Sequence, residues 1–311
     1  MAELPSKPKP TVDAIFAYHE SNQFSGYRDH LGGSILGTEC ERALFYAFRW
    51  STSTKHTGRL LRLFERGQME EARFVKALRA IGVTVLDIDP DTGRQWRLRD
   101  ETGHSGGEMD GVGYGFLEAP KTWAGIEMKT HSSKSFALLV KDGVAKSKPL
   151  HWAQMHVYAE LAGLDRFYYL AVNKDNDDLY SEWVHIDKAL SIQLLAKAKR
   201  IIQASAPAEK ISQDPTFFKC KFCDHADVCH GTAIPEAHCR SCLHSTAVEG
   251  GVWTCEAHKK VLSPEDQRRG CGHHLYLPAL VHGKQIDANL EQGWVSYEMP
   301  DGSTWRDGVP F

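Results

Sequence analysis

The chain has 311 residues, with 37 Lys and Arg against 40 Asp and Glu and a net charge of −3. That length holds one sizeable α/β domain plus a small appendage. The near balance of charge excludes a global pull on nucleic acid, so any such contact must come from local basic patches. No stretch approaches eighteen apolar residues, which excludes a membrane-spanning helix. Met1 to Pro10 is polar and Pro/Lys-rich, so no secretory signal is expected and a reducing cytoplasm is the expected setting.

The first strong pattern is Gly58 to Ile81. Leu60, Phe64, Gly67, Phe74, Val75 and Leu78 recur at helical spacing, which predicts an amphipathic helix. Glu71 lies on that apolar stripe, where a carboxylate is costly unless it is paired or bound to metal. Gly67 weakens the helix and is expected to admit another element closely. Strands are predicted at 83–89 and about 106–116. A turn-rich hairpin follows, with Gly111, Gly113, Gly115 and Pro120. Gly125 to Thr130 alternates apolar and polar and reads as a strand at 123–130. Residues two apart on a strand share a face, so Glu127 and Lys129 project together while Ile126 and Met128 face the core. The hairpin returns Asp110 beside them, seventeen positions earlier in the chain. Two carboxylates and an ammonium then converge, an arrangement suited to a divalent metal and a phosphodiester. A cross-strand ion pair on a solvated face has the same residues.

Between 131 and 149 the chain is read as a lysine-bearing loop. Lys134, Lys141, Lys146 and Lys148 are candidates for phosphate contact, with Arg59, Arg62 and Arg66 of the first helix as others. Pro149 starts a second helix that ends near Gly163. Gln154 and Tyr158, four apart, share one of its faces. Strands are expected at 166–173 and 179–186, the second extending the sheet through Trp183. Helical residues from about 187 to 205 then lead to a cysteine cluster.

With this order on the page, the chain resembles the PD-(D/E)XK nuclease superfamily, in its RecB-like branch. The residues that carry the resemblance are Gly67-x-x-x-Glu71 on the first helix, Asp110, Glu127-x-Lys129, and Gln154-x-x-x-Tyr158. Met109 stands where the family name has proline, and Glu71 stands where many relatives carry histidine. The resemblance covers roughly residues 35–230. It implies an α/β fold with a restriction-endonuclease-like αβββαβ core around a central mixed sheet. It also implies a DNA nuclease, expected to be an exonuclease acting on DNA ends or single strands, in which Asp110 and Glu127, helped by Glu71, bind Mg2+ or Mn2+. Lys129 would serve the transition state, and Gln154 and Tyr158 would hold substrate or orient the site. The absence of G-x-x-x-x-G-K-[ST] points to an enzyme without an attached motor. Such stand-alone nucleases belong to phage-type recombination or CRISPR adaptation. DNA is then the partner, together with a recombination or single-strand-binding protein, in the cytoplasm of a bacterial host. Two rivals are a catalytically silent DNA-end-binding scaffold and a metal-containing partner-docking protein.

Eight cysteines fall into two sets of four. Cys220-x-x-Cys223-x5-Cys229 supplies three thiolates and Cys40 can supply a fourth. Four thiolates suit an iron–sulfur cluster or zinc, and spacing does not choose between them. The resemblance implies a 4Fe–4S cluster, as in the iron–sulfur staple of the helicase–nuclease branch. The second set is Cys239-x-x-Cys242, Cys255 and Cys271, a zinc-ribbon-like pattern in a segment with little core of its own. The fourth zinc ligand is open between Cys271, His258 and His273. The expected organisation is an N-terminal segment at 1–34, a nuclease domain with a helical iron–sulfur subdomain at 35–235, and a zinc module with its tail at 236–311.

Overall fold

The computed structural model describes residues 9–23, 27–289 and 291–308. Most of the polar opening noted above therefore lies outside the described residues. Helix α1 (Pro10–Ser21) leads to a two-residue strand β1 (Leu31–Gly32), α2 (Glu41–Phe48) and the long α3 (Gly58–Ala80). Next come β2 (Thr84–Leu86), β3 (Trp96–Arg99), β4 (Ser105–Met109), β5 (Gly111–Phe116) and β6 (Ala119–His131). Then follow α4 (Ser133–Ser147), α5 (Pro149–Ala162), β7 (Arg166–Asn173), β8 (Leu179–His185) and α6 (Lys188–Gln203).

Five strands form the central mixed sheet in the order β2-β5-β6-β7-β8. Within this sheet β6 and β7 pair in parallel and the other neighbours antiparallel, with Glu127 opposite Tyr169 and Lys129 opposite Ala171. A parallel pair needs a crossover, and α4 and α5 provide it. On one face of the sheet, Phe74, Val75 and Leu78 of α3 cover Val85, Ile126, Met128 and Leu170. Each such fully buried side chain contributes about 1.5–3 kcal/mol. On the other face, α5 lies over Phe167, Tyr169 and Ala171, with α6 against it.

The α3 stripe is only half used. Phe64 is 46% exposed, because the first half of the helix runs past the strands and only its second half covers them. Nor does Gly67 mark a tight approach: a Cβ there would meet Thr130 Oγ1 at 3.9 Å, an ordinary contact. The strand expected over 106–116 is two strands. Residues before Asp110 leave the central sheet to pair with β1 and β3, and those after it pair with β2 and β6. The lysine-bearing loop is helix α4, broken at Gly143 (φ 70°), where Val144 N–H donates to Glu182 Oε2 at 2.8 Å.

Two short helices, α7 (Phe218–Lys221) and α8 (Ala226–Cys229), carry the first cysteine cluster. Beyond them, β9 (Ser245–Val248), β10 (Val252–Cys255) and β11 (Lys260–Leu262) form an antiparallel sheet followed by α9 (Pro264–Arg269). Strands β12 (Lys284–Asn289), β13 (Trp294–Glu298) and β14 (Thr304–Asp307) form another around Val295 and Tyr297. The first of these sheets shares the main core. The Trp253 ring stands 5.3 Å from Phe48, and His104 Nε2 donates to Val248 O at 2.7 Å. Among the described residues no helix is long and apolar enough to cross a membrane.

Candidate active site

The β5–β6 hairpin sets Gly111 opposite Ile126, so Asp110 comes to rest beside Glu127. Its Oδ2 accepts the backbone N–H of Met128 at 2.7 Å, which fixes the carboxylate against the neighbouring strand. The alternation of β6 turns Ile126 and Met128 toward α3 and turns Glu127 and Lys129 away from it. Lys129 Nζ stands 4.0 Å from Asp110 Oδ2 and touches Glu127 Oε1. Glu127 is 0% exposed. Its Oε2 accepts from Gln154 Nε2 at 3.2 Å. Its Oε1 is in contact with the Lys129 ammonium, and no other hydrogen-bond donor reaches it among the described residues.

The electrostatics follow from this crowding. Burial pushes the Glu127 carboxyl upward against the pull of Lys129. Burial also pulls the Lys129 ammonium down, but Glu127, Asp110 and Glu71 outweigh it and hold the group charged. Glu71, half-buried on α3, is raised by burial and then by Asp110. Among the described residues it has no arginine partner; its neighbour Glu70 takes Arg73, at 2.8 Å. Glu71 and Lys129 line one cavity of about 230 Å³ together with Gly67, Thr130, His131 and His151. Among the described residues no three His, Cys, Asp or Glu side chains are gathered into a metal-holding group. Here the Lys129 ammonium sits between the two carboxylates instead.

Tyr158 is 3% exposed and is wedged between two glycines. A Cβ on Gly107 would lie 2.1 Å from its hydroxyl, and one on Gly33 would lie 2.5 Å from its ring. The tyrosine thus walls the site where β4 and the turn after β1 meet α5, and its hydroxyl makes no protein hydrogen bond among the described residues. The basic candidates divide. Lys148 donates to Ser135 O at 3.0 Å and to Ser135 Oγ at 2.7 Å, and Lys146 pairs with Asp142 at 3.0 Å. Arg66 donates to Lys174 O at 2.6 Å. Lys134 and Lys141 are exposed, with no ion pair among the described residues.

All eight cysteines are unpaired thiols. Cys40, Cys220, Cys223 and Cys229 line one large cleft. Burial and then the neighbouring thiols Cys229 and Cys40 raise Cys220, so the distant Cys40 lies on the same side of the molecule as the triplet, although the four are not gathered into a metal-holding group among the described residues. Cys239, Cys242, Cys255 and Cys271 line a second cavity of about 180 Å³ with His244, His258 and His273. There burial, then Cys242, Cys271 and Cys255, push Cys239 up to about 11. His258 Nε2 is 3.3 Å from Cys271 Sγ, which puts two of the three candidates for a fourth ligand in contact.

The sequence reading passed over His131 and His151. The signal was present: His131 shares a strand face with Lys129, and His151 lies one helical turn before Gln154. Burial, then Lys148 and Lys129, lower His131 to about 4. Burial, then Lys129, His131 and Lys148, lower His151 to about 3. Burial and then His238 lower His274, in the second cysteine module, to about 4. Each is neutral in the fold, whereas the unfolded chain takes up protons from its ordinary value of 6.5 downward. Stability present at neutral pH is therefore lost as pH falls through the window from 6.5 toward 4. After discounting for partial solvent access, each histidine accounts for on the order of 1 kcal/mol. The raised carboxyls of Glu127, Glu71 and Asp307 oppose this trend, and the lowered imidazoles of His104, His156, His225 and His238 add to it. Calorimetric melting temperatures across that window check the expectation, and a flat profile would show the imidazoles to be charged in the fold.

No family model matches the chain, and no curated protein matches it. Among solved structures it is similar to an alkaline exonuclease from Laribacter hongkongensis, LHK-Exo. The identity is 14%, the match covers 61% of this chain and 90% of that one, and the TM-score is 0.41. The same exonuclease in complex with dAMP gives a TM-score of 0.42. A structure of SSO0001 is 13% identical over 70% of this chain and 95% of that chain, with a TM-score of 0.40. At these scores the likeness assigns neither a family nor an activity.

Proposed function

We propose that the chain is a divalent-metal-dependent deoxyribonuclease with a PD-(D/E)XK site of the RecB-like kind. The observation that carries the reading is Glu127 Oε1. It is a fully buried carboxylate oxygen whose one polar neighbour is the Lys129 ammonium, which also stands 4.0 Å from the second carboxylate, Asp110. Two hard carboxylates with a single ammonium between them suit Mg2+ or Mn2+, held by Asp110 and Glu127 with Glu71 in support. When bound, an ion there polarises phosphoryl oxygens and lowers the pKa of water. The protein groups do the rest. Gln154 holds Glu127 by its Oε2, the Met128 amide holds Asp110, and Lys129 meets the negative charge that builds on the phosphate. Tyr158 closes the wall, and exposed Lys134 and Lys141 guide the strand. On the resemblance, the setting is phage-type DNA processing in a bacterial host's cytoplasm, beside a recombination or single-strand-binding protein.

The test is digestion of end-labelled linear single- and double-stranded DNA with Mn2+ or Mg2+. Products that need the metal and vanish in Glu127→Ala support the reading. Intact DNA under every condition would leave a silent DNA-binding scaffold.

For the cysteines, the proposal is a 4Fe–4S cluster on Cys40, Cys220, Cys223 and Cys229 and a zinc ion in the second cavity. Four thiols line the same cavity in each place, which supports both donor sets. In the zinc site, Cys239, Cys242 and Cys255 would be joined by Cys271 or by its neighbour His258. Anaerobically purified protein should be brown and hold about one zinc ion per chain. Cys40→Ser should bleach the colour as fully as Cys220→Ser. Colourless protein with two zinc ions per chain would replace the iron assignment with a second zinc site.

A further inference from the structure

Two imidazoles and a phenol stand behind Lys129. Tyr169 is buried on β7, and its hydroxyl lies 2.9 Å from His131 Nε2 and 2.9 Å from His151 Nδ1. The series continues on the far side of His131. His131 Nδ1 is 3.2 Å from Ser135 Oγ, which accepts from Lys148 Nζ at 2.7 Å.

The direction of every proton in this series follows from what each group can donate. An ammonium only donates, so Ser135 Oγ accepts from Lys148. Among the described residues the Ser135 hydroxyl reaches a single acceptor, His131 Nδ1. His131 therefore carries its proton on Nε2 and donates it to Tyr169 Oη. Tyr169 in turn donates its one proton to His151 Nδ1. His151 is left in one tautomer, with its proton on Nε2. The reverse order would strand the Ser135 proton. Neutrality of both rings agrees with their burial and with the lysines around them.

His151 lines the same cavity as Lys129 and Glu71, and its Nε2 meets no acceptor among the described residues. A donor locked in one tautomer and aimed where no protein group accepts it suits an anionic oxygen that arrives with the substrate. We propose that His151 is a fixed, neutral Nε2–H donor to a phosphate oxygen of the bound DNA strand, with Tyr169, His131 and Ser135 as its positioning residues. This rests on the nuclease reading and adds to it a contact outside the carboxylate–lysine set. Because Nε2 carries the proton, His151 is not a metal ligand.

The experiment uses the full chain with Mn2+ at saturating DNA. Single-turnover rates are compared for wild type, His151→Ala, His151→Gln, His151→Asn and Tyr169→Phe, on duplexes whose 5′ ends carry phosphate or hydroxyl. Glutamine can place an amide N–H near the imidazole Nε2 position, and asparagine cannot. His151→Ala should slow cleavage by about 10²-fold, as for loss of one transition-state donor. His151→Gln should recover about tenfold over His151→Asn, with Mn2+ affinity unchanged. A loss equal on both ends assigns the contact to the scissile phosphodiester; a loss confined to phosphorylated ends assigns it to the terminal phosphate. Equal rates for the Gln and Asn variants, a wild-type rate in His151→Ala, or weakened Mn2+ binding in His151→Gln would each overturn the inference. All three leave the nuclease reading standing, whereas undiminished cleavage by Glu127→Ala would sink that reading. A measurement independent of turnover is the imidazole nitrogen shifts of 15N-histidine-labelled, metal-free protein. They should report Nε2–H for His151, lost to a tautomer mixture in Tyr169→Phe. An Nδ1–H tautomer in the wild type would end the proposal even if the variants failed to fold.

Discussion

Lys129→Ala should cut DNA cleavage by about 10³-fold or more while leaving the fold and both cysteine clusters in place. The ammonium is the one cation between Asp110 and Glu127 among the described residues. Its loss removes the group that meets the phosphate charge, so the maximal rate should fall far more than the affinity for DNA. A second consequence separates chemistry from simple damage. Without Lys129, the buried Glu127 carboxylate has no counter-ion and will take up a proton. A divalent cation then has no ammonium to displace, so Mn2+ should raise the melting temperature of Lys129→Ala more than that of the wild type. Glu127→Ala should lose cleavage as completely and should lose the Mn2+ stabilisation as well. Wild-type turnover in Lys129→Ala would remove the basis for the mechanism.

What the sequence made legible was local, and what it hid was tertiary. The long helix was expected over Gly58 to Ile81 and runs Gly58–Ala80. The helix expected from Pro149 to Gly163 runs Pro149–Ala162 and ends on Gly163 in the left-handed region (φ 67°). Each of those signals lies within a few residues of the element it sets. The Glu127–Lys129 pair was legible for the same reason, because strand alternation is a property of adjacent residues. Helix α4 was not, since its break at Gly143 is closed by Glu182 from a distant strand. The division of the strand at Asp110 depends on β1 and β3, which a local pattern does not reveal. His131 and His151 gain meaning only through Tyr169 on the neighbouring strand. Cys40 was joined to its triplet through resemblance, because loop closure across 180 positions leaves no local trace.

Arg240→Ala is expected to destabilise the fold by about 2–4 kcal/mol, because it leaves three buried acceptors without their charged donor, a loss partly offset by the guanidinium's own burial cost. Arg240 is 1% exposed. Its guanidinium donates to Phe48 O at 3.1 Å, to Asp29 O at 2.8 Å and to Gln267 Oε1 at 3.0 Å. It also lies 3.9 Å from the centre of the Trp50 ring and 4.7 Å from that of Trp253. One side chain therefore ties three separate stretches of the chain together and joins the second cysteine module to the N-terminal half. Arg240→Lys should recover little, because a single ammonium does not reproduce a planar fork with three acceptors. The damage should also reach the active site by a definite route. Asp29 precedes β1, β1 pairs with β4 through Leu31 and Ser105, and the turn after β1 and β4 together clamp Tyr158 at Gly33 and Gly107. Loosening the Asp29 carbonyl frees that clamp, so Arg240→Lys should show reduced cleavage even at temperatures where it remains folded. Urea denaturation followed by tryptophan fluorescence measures the first effect, and cleavage rates well below the melting temperature measure the second. A loss of stability below about 1 kcal/mol in Arg240→Ala would mean that the module is held by its apolar contacts alone.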